Sequence, residues 1–237
     1  MRAVFFDFDN TLVDSLSVLP AAQRRAAELI AGFLGGDVDV EEVLSVVRLV
    51  ERVVEMQGVY DRDVVWAHVL RELGFDGRPE AGVLRSWTHA YWEEYSKGKP
   101  FPDAVKVLAE LQKHRRLGLI TNTDGLLGMK RRRLSISGLE RFFDVVVVAG
   151  EDTPEAKPSP RPFLKAVSVL GLRPRDCLMV GDDPVNDVAG SKSAGLAAVL
   201  VDRRGGRPCP VKPDYVVSSL TQVLEVVGGI SFLPSHR

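Results

Sequence analysis

Ala3-Val4-Phe5-Phe6-Asp7-Phe8-Asp9-Asn10-Thr11 is the stretch from which the fold of this chain is read. Four apolar residues run without a break and stop abruptly at two aspartates. An unbroken apolar run describes a strand buried on both faces, as in parallel sheets, and here its carboxyl end carries charge. Four further runs have the same character: Leu117–Ile120, Val145–Val148, Leu178–Val180 and Ala197–Val201, with a weaker sixth at Tyr215–Val217. Helical patterns fall between them, over Asp103–His114, Leu126–Ser135, Pro160–Leu170, Val185–Ala194 and Leu220–Val227. Strands alternating with helices predict an α/β class core built on a doubly wound, Rossmann-like parallel sheet.

One stretch interrupts the alternation. From Leu16 to Lys97 no strand pattern occurs, only amphipathic helical periodicity, over Pro20–Phe33, Glu41–Gln57, Asp61–Leu73 and Pro79–Tyr95. Gly35-Gly36, Gly58, Gly74 and Gly77 punctuate these helices, and Pro20 and Pro79 stand where a helix can start. A segment this long is a second module rather than a loop. The predicted domains are therefore a discontinuous α/β core, 1–15 with 98–237, and an inserted α-helical domain, 16–97, with Lys97-Gly98-Lys99-Pro100 as the return linker. All three tryptophans, Trp66, Trp87 and Trp92, lie in the insert, where helical spacing marks most of its aromatics as core.

The chain has 237 residues, 45% of them hydrophobic and 27% charged, an ordinary globular composition that excludes collagen-like and disordered classes. At this length it should bury roughly 70–75% of its unfolded surface and needs no disulfide or metal staple. Lys and Arg total 31 against 32 Asp and Glu, so nucleic acid is not the expected partner. Cys177 and Cys209 are too few for a zinc site and form no Cys-x-x-Cys pair. No apolar run approaches membrane length, and Met1-Arg2 leads straight into a strand. These features predict a cytoplasmic protein with no membrane partner.

In a parallel α/β sheet, ligands sit at the carboxyl ends of the strands. Here those ends carry Asp7 and Asp9, then Thr121 and Asn122, then Gly181-Asp182-Asp183-Pro184-Val185-Asn186-Asp187, with Lys157 just before a helix. A lone Asp-x-Asp is common on solvated surfaces, but five carboxylates at neighbouring strand ends repel one another unless a cation sits among them. Hard oxygen donors favour Mg²⁺, which often bridges to a substrate phosphate. A lysine in the same crevice offsets the remaining charge, and the Thr121 hydroxyl can grip an anionic oxygen.

Taken together, these residues resemble the four motifs of the haloacid dehalogenase (HAD) superfamily. Asp7-Phe8-Asp9-Asn10-Thr11 resembles the first, Thr121 with Asn122 the second, Lys157 the third, and Gly181-Asp182 through Asp187 the fourth. The flanking Lys157-Pro158-Ser159-Pro160-Arg161-Pro162-Phe163 is similar to the phosphoglycolate phosphatase-like branch, and the insert resembles its C1-type helical cap domain. The resemblance implies a Mg²⁺-dependent phosphatase acting on a small phosphorylated metabolite through an aspartyl-phosphate. Asp7 is then the nucleophile, and Asp9 the acid and base, protonated at the start because Asp7 lies beside it. The metal would be held by Asp7, the Asp9 backbone carbonyl and Asp182. Thr121, Asn122 and Lys157 would bind phosphoryl oxygens, with Asp183 and Asp187 in support. Dehalogenases of the superfamily lack the second aspartate of the first motif, so the presence of Asp9 points to phosphate esters.

Two rival readings share the core residues: a phosphomutase of the β-phosphoglucomutase type and, on a fold that does not fix function, a non-catalytic binding protein. The sequence expectation for assembly is a monomer or homodimer. The basic run Lys130-Arg131-Arg132-Arg133 reads as a solvated helix face. Arg203-Arg204-Gly205-Gly206-Arg207 reads as a flexible loop that could add a phosphate contact. The end of the tail beyond Gly228 is expected to be poorly ordered.

Overall fold

The computed structural model describes residues 1–77 and 79–230, so the end of the tail lies outside the described residues. The chain divides into two compact units. One comprises 1–14, 99–123 and 134–237; the other comprises 15–98 together with 124–133, a segment that the sequence reading placed in the α/β core.

The first unit carries strands β1 (Ala3–Phe6), β2 (Val13–Asp14), β3 (Lys99–Pro100), β4 (Arg116–Asn122), β5 (Val145–Ala149), β6 (Cys177–Gly181), β7 (Ala197–Val201) and β8 (Tyr215–Val217). Six of these form one sheet in the order β5-β4-β1-β6-β7-β8, and every pairing in it is parallel. The chain thus winds outward from β1 in both directions, the doubly wound arrangement. Alternation within each strand supplies both faces. Val4, Phe6, Leu117, Leu119, Leu178 and Val180 enter one cluster, and Ala3, Phe5, Ile120, Cys177 and Met179 enter another. The second sheet was not foreseen. Val13 pairs with Pro100 and Asp14 with Lys99, antiparallel, so the expected return linker is half of a two-stranded ribbon.

The second unit is helical: α1 (Leu19–Leu34), α2 (Val40–Met56), α3 (Arg62–Glu72) and α4 (Ala81–Tyr95). Asp39 and Asp61 cap α2 and α3 by accepting from Glu41 N at 3.0 Å and Asp63 N at 2.9 Å. Trp66, Trp87 and Trp92 are all buried in its core, as helical spacing implied. Its interior also holds an ionic network. Arg62 meets Glu55 at 2.7 Å and Glu51 at 3.3 Å, while Tyr91 Oη donates to Glu51 at 2.8 Å.

The basic run corrects the sequence reading. It lies within helix α6 (Met129–Ser137), which follows α5 (Ala104–Gln112) and precedes α7 (Arg161–Val169). Arg131 and Arg132 are exposed, but Lys130 and Arg133 are buried. Three residues apart, those two share a helix face. Lys130 bonds Asp124 at 2.6 Å, and Arg133 meets both Asp124 oxygens at 3.0 and 3.1 Å. Helices α8 (Gly190–Ser193) and α9 (Thr221–Ile230) follow, and among the described residues no helix is long and apolar enough to cross a membrane.

Candidate active site

Register builds the site. Phe6 of β1 lies level with Leu119 of β4 and Val180 of β6, so Asp7, Ile120 and Gly181 emerge together at the strand ends. Asp7 N donates to Val180 O at 3.0 Å, which ties the first aspartate to the β6 end.

Lys157 enters this place from the connection before α7. Its Nζ donates to Asp7 Oδ1 at 2.7 Å, Asp187 Oδ1 at 2.6 Å and Ile120 O at 3.0 Å. All three ammonium donors are used, and the side chain is 3% exposed. Burial opposes the charged ammonium, but Asp187 and Asp7 outweigh it and hold the pKa above its ordinary value.

Asp7, Asp182 and Asp187 form an acidic cluster whose candidate ligand oxygens lie within 4.8 Å of one another. Burial first, then Asp7, pushes Asp182 up to about 6 against the pull of Arg207. Asp187 is also raised, by burial and by Asp7 and Asp182, with Lys157 opposing. The cluster therefore holds like charges at an electrostatic cost. Three convergent hard carboxylates fit a divalent cation such as Mg²⁺. Thr11 Oγ1 donates to Asp182 Oδ1 at 3.2 Å.

Several sequence-predicted residues take more specific places. Thr121 is buried at the end of β4. Asn122, expected to bind phosphoryl oxygens, turns its side-chain amide onto the Lys157 main chain: Oδ1 accepts from Lys157 N at 2.8 Å and Nδ2 donates to Lys157 O at 3.4 Å. Asp183, expected to orient water or a neighbour, caps the helical turn Pro184–Ala189 by accepting from Val185 N at 2.8 Å and Asn186 N at 2.9 Å. Its own N–H donates to Asp187 Oδ2 at 3.0 Å, so Asp183 shapes the turn that presents Asp187. Asp187, expected in support, lies in the cluster with Asp7 and Asp182. Asp9 is partly buried one residue beyond Phe8 and forms a bridge to Val13. Arg207, which the sequence offers only as part of a loop that could add a phosphate contact, instead brings its guanidinium to Asp182 Oδ2 at 3.0 Å. The turn at Gly205-Gly206, after Asp202, brings Arg207 back toward the sheet.

A family model described as haloacid dehalogenase-like hydrolase matches residues 1–195. The chain belongs to this family. As a HAD-like hydrolase it is 32% identical to an N-acylneuraminate-9-phosphatase of Rattus norvegicus, over 94% of this chain and 92% of that protein. It is 31% identical to a glyceraldehyde 3-phosphate phosphatase of Methanopyrus kandleri, over 96% and 97%. The crystal structure of a 2-haloacid dehalogenase from Pseudomonas syringae pv. Tomato DC3000 superposes with a TM-score of 0.74 at 26% identity, covering 97% of this chain and 99% of that one. The HAD fold is thus shared across chemistries. The phosphatase relatives identify this HAD-like hydrolase as a phosphoric monoester hydrolase.

Proposed function

We propose that this HAD-like hydrolase is a Mg²⁺-dependent phosphatase that hydrolyses a small phosphate monoester through an aspartyl-phosphate on Asp7. The observation that carries this reading is the buried Lys157 ammonium joining Asp7 to Asp187 beside Asp182. That arrangement sets a candidate nucleophile, a fixed ammonium and a cluster of carboxylates suited to a cation side by side at the strand ends.

Asp7, Asp182 and Asp187, with the Asp9 backbone carbonyl, are the groups that would hold Mg²⁺. When bound, the ion supplies charge neutralisation between the carboxylates and the phosphoryl group. An Asp7 carboxylate oxygen attacks phosphorus as the P–O bond to the leaving group breaks, and Asp9 gives its proton to the departing oxygen. Asp9, now ionised, takes a proton from water, whose oxygen attacks the same phosphorus. The Asp7–phosphorus bond then breaks and inorganic phosphate leaves. As Asp7 bonds to phosphorus, the Lys157 donor it held turns to a phosphoryl oxygen, the Thr121 hydroxyl contacts another, and Asn122 keeps the Lys157 main chain in place. The helical unit acts as the cap that selects the leaving group. A cytoplasmic setting accords with Cys177 and Cys209 both being free thiols.

The test is phosphate release from a panel containing p-nitrophenyl phosphate, N-acylneuraminate 9-phosphate and glyceraldehyde 3-phosphate, with Mg²⁺ and with EDTA, beside Asp7→Asn. Turnover that needs Mg²⁺ and disappears in the variant supports the proposal. Turnover retained by Asp7→Asn removes the nucleophile assignment. Labelling of Asp7 without phosphate release from any ester shifts the reading to a phosphomutase.

A further inference from the structure

We propose that Arg207 is a positioning residue for the metal-binding carboxylate Asp182. This rests on reading Asp7, Asp182 and Asp187 as a Mg²⁺ site. Arg207 Nη1 donates to both the backbone oxygen of Asp182 and its Oδ2, the latter at 3.0 Å. One donor thereby spans the main chain and side chain of a single residue, which fixes the direction of that carboxylate. Thr11 Oγ1 holds the other oxygen at 3.2 Å.

Arg207 is itself held from behind. Buried Asp202 accepts from Gly205 N at 2.9 Å through Oδ1 and from Arg207 N at 3.1 Å through Oδ2. Gly205 and Gly206, at φ 77° and 80°, make the left-handed turn that returns the chain. The loop that the sequence marked as flexible is therefore anchored at both ends of Arg207. The pair is not a solvated surface contact either, since the Asp182 side chain is 13% exposed and that of Arg207 33%.

Asp182 lies in a cluster of like charge, and repulsion from Asp7 favours turning its carboxylate away. The guanidinium opposes that turn and stabilises the ionised form. A cation this near also repels an incoming Mg²⁺. The clamp is the larger effect, because a carboxylate pointed elsewhere binds no metal, and groups that orient a metal ligand typically change affinity 10–100-fold.

Isothermal titration of the full chain with MgCl₂ tests this in wild type, Arg207→Met, Arg207→Lys and Arg204→Met. Arg204 is exposed in the same loop and serves as the charge control. Arg207→Met should weaken the Mg²⁺ Kd about 10–100-fold, with Arg207→Lys intermediate and Arg204→Met unchanged. The rise in Tm from EDTA to saturating Mg²⁺, taken within each variant, should shrink in Arg207→Met even where its Tm in EDTA matches wild type. Mg²⁺ binding by Arg207→Met as tight as wild type, or tighter, overturns the proposal. An equal loss in Arg204→Met also overturns it, by reducing the effect to general charge. Wild type that takes up no Mg²⁺ instead overturns the metal reading on which the proposal stands.

Discussion

At the scale of single residues, Lys157 settles the balance of the site. Its ammonium stands between the Asp7 and Asp187 carboxylates in one buried place, at 2.7 and 2.6 Å. Lys157→Met should cost about 3–5 kcal/mol of stability, because breaking a buried pair leaves uncompensated charge. It should also lower kcat about 10²–10³-fold, the usual loss when a donor to developing charge is removed. Chemical denaturation in EDTA and steady-state kinetics check the two effects, and a variant as stable as wild type would mean that solvent reaches the carboxylates. Lys157→Arg should not rescue turnover, because a planar fork cannot direct three donors to Asp7, Asp187 and the Ile120 carbonyl. The place of Lys157 was legible because it stands in sequence where the chain leaves the carboxyl end of a strand and has yet to enter the next helix. The bonds of Asn122 to Lys157 and of Arg207 to Asp182 were not legible. Each joins positions 35 and 25 residues apart, and no local periodicity encodes such a pairing.

At the scale of elements, strand ends carried most of the information. The apolar runs at Ala3–Phe6 and Ala197–Val201 stand as strands with the same bounds, since burial on both faces demands that composition. The two-residue ribbon of β2 and β3 was hidden because so short a pairing leaves no pattern. The basic run in α6 misled for a different reason: charge suggests solvent, and nothing local told that Asp124 would draw Lys130 and Arg133 inward. The β6 end shows how an element fixes chemistry. A Cβ placed on Gly181 would lie 2.2 Å from Asp187 Oδ2, so only glycine lets that carboxylate fold back over the strand. Gly181→Ala should therefore displace Asp187, cost about 1–3 kcal/mol through overpacking, and weaken both Mg²⁺ binding and turnover. Calorimetry beside kinetics would reveal it, and kcat within twofold of wild type would show that Asp187 can shift without loss. Asp183→Ala tests the neighbouring cap, with an expected loss of about 0.5–2 kcal/mol in thermal or denaturant unfolding.

At the scale of the whole molecule, stability, pH and metal are linked through the same cluster. Asp182 has a folded-state pKa of about 6 against an ordinary 3.8, raised by burial and Asp7. A carboxylate raised on folding favours the folded chain below its unfolded pKa, and that advantage is lost as pH rises through the folded value. The metal-free protein should therefore lose stability from this group between about pH 4 and 6. The direction of Asp187 is the same. Mg²⁺ reverses the sign of the trend, because it binds the ionised carboxylates of the native state and competes with their protons. At 100 times Kd, a ligand of the native state adds about 2.7 kcal/mol, which for a chain of this size raises Tm by roughly 5–11 °C. That increment should be present at pH 7.5 and should shrink steadily below pH 6 as Asp182 takes up its proton. Scanning calorimetry at pH 5.0, 6.0 and 7.5, with EDTA and with saturating MgCl₂, measures it. An increment of equal size at all three pH values would place the ion on groups other than Asp182, whereas its disappearance in Asp182→Asn at pH 7.5 would fix the linkage to that one carboxylate.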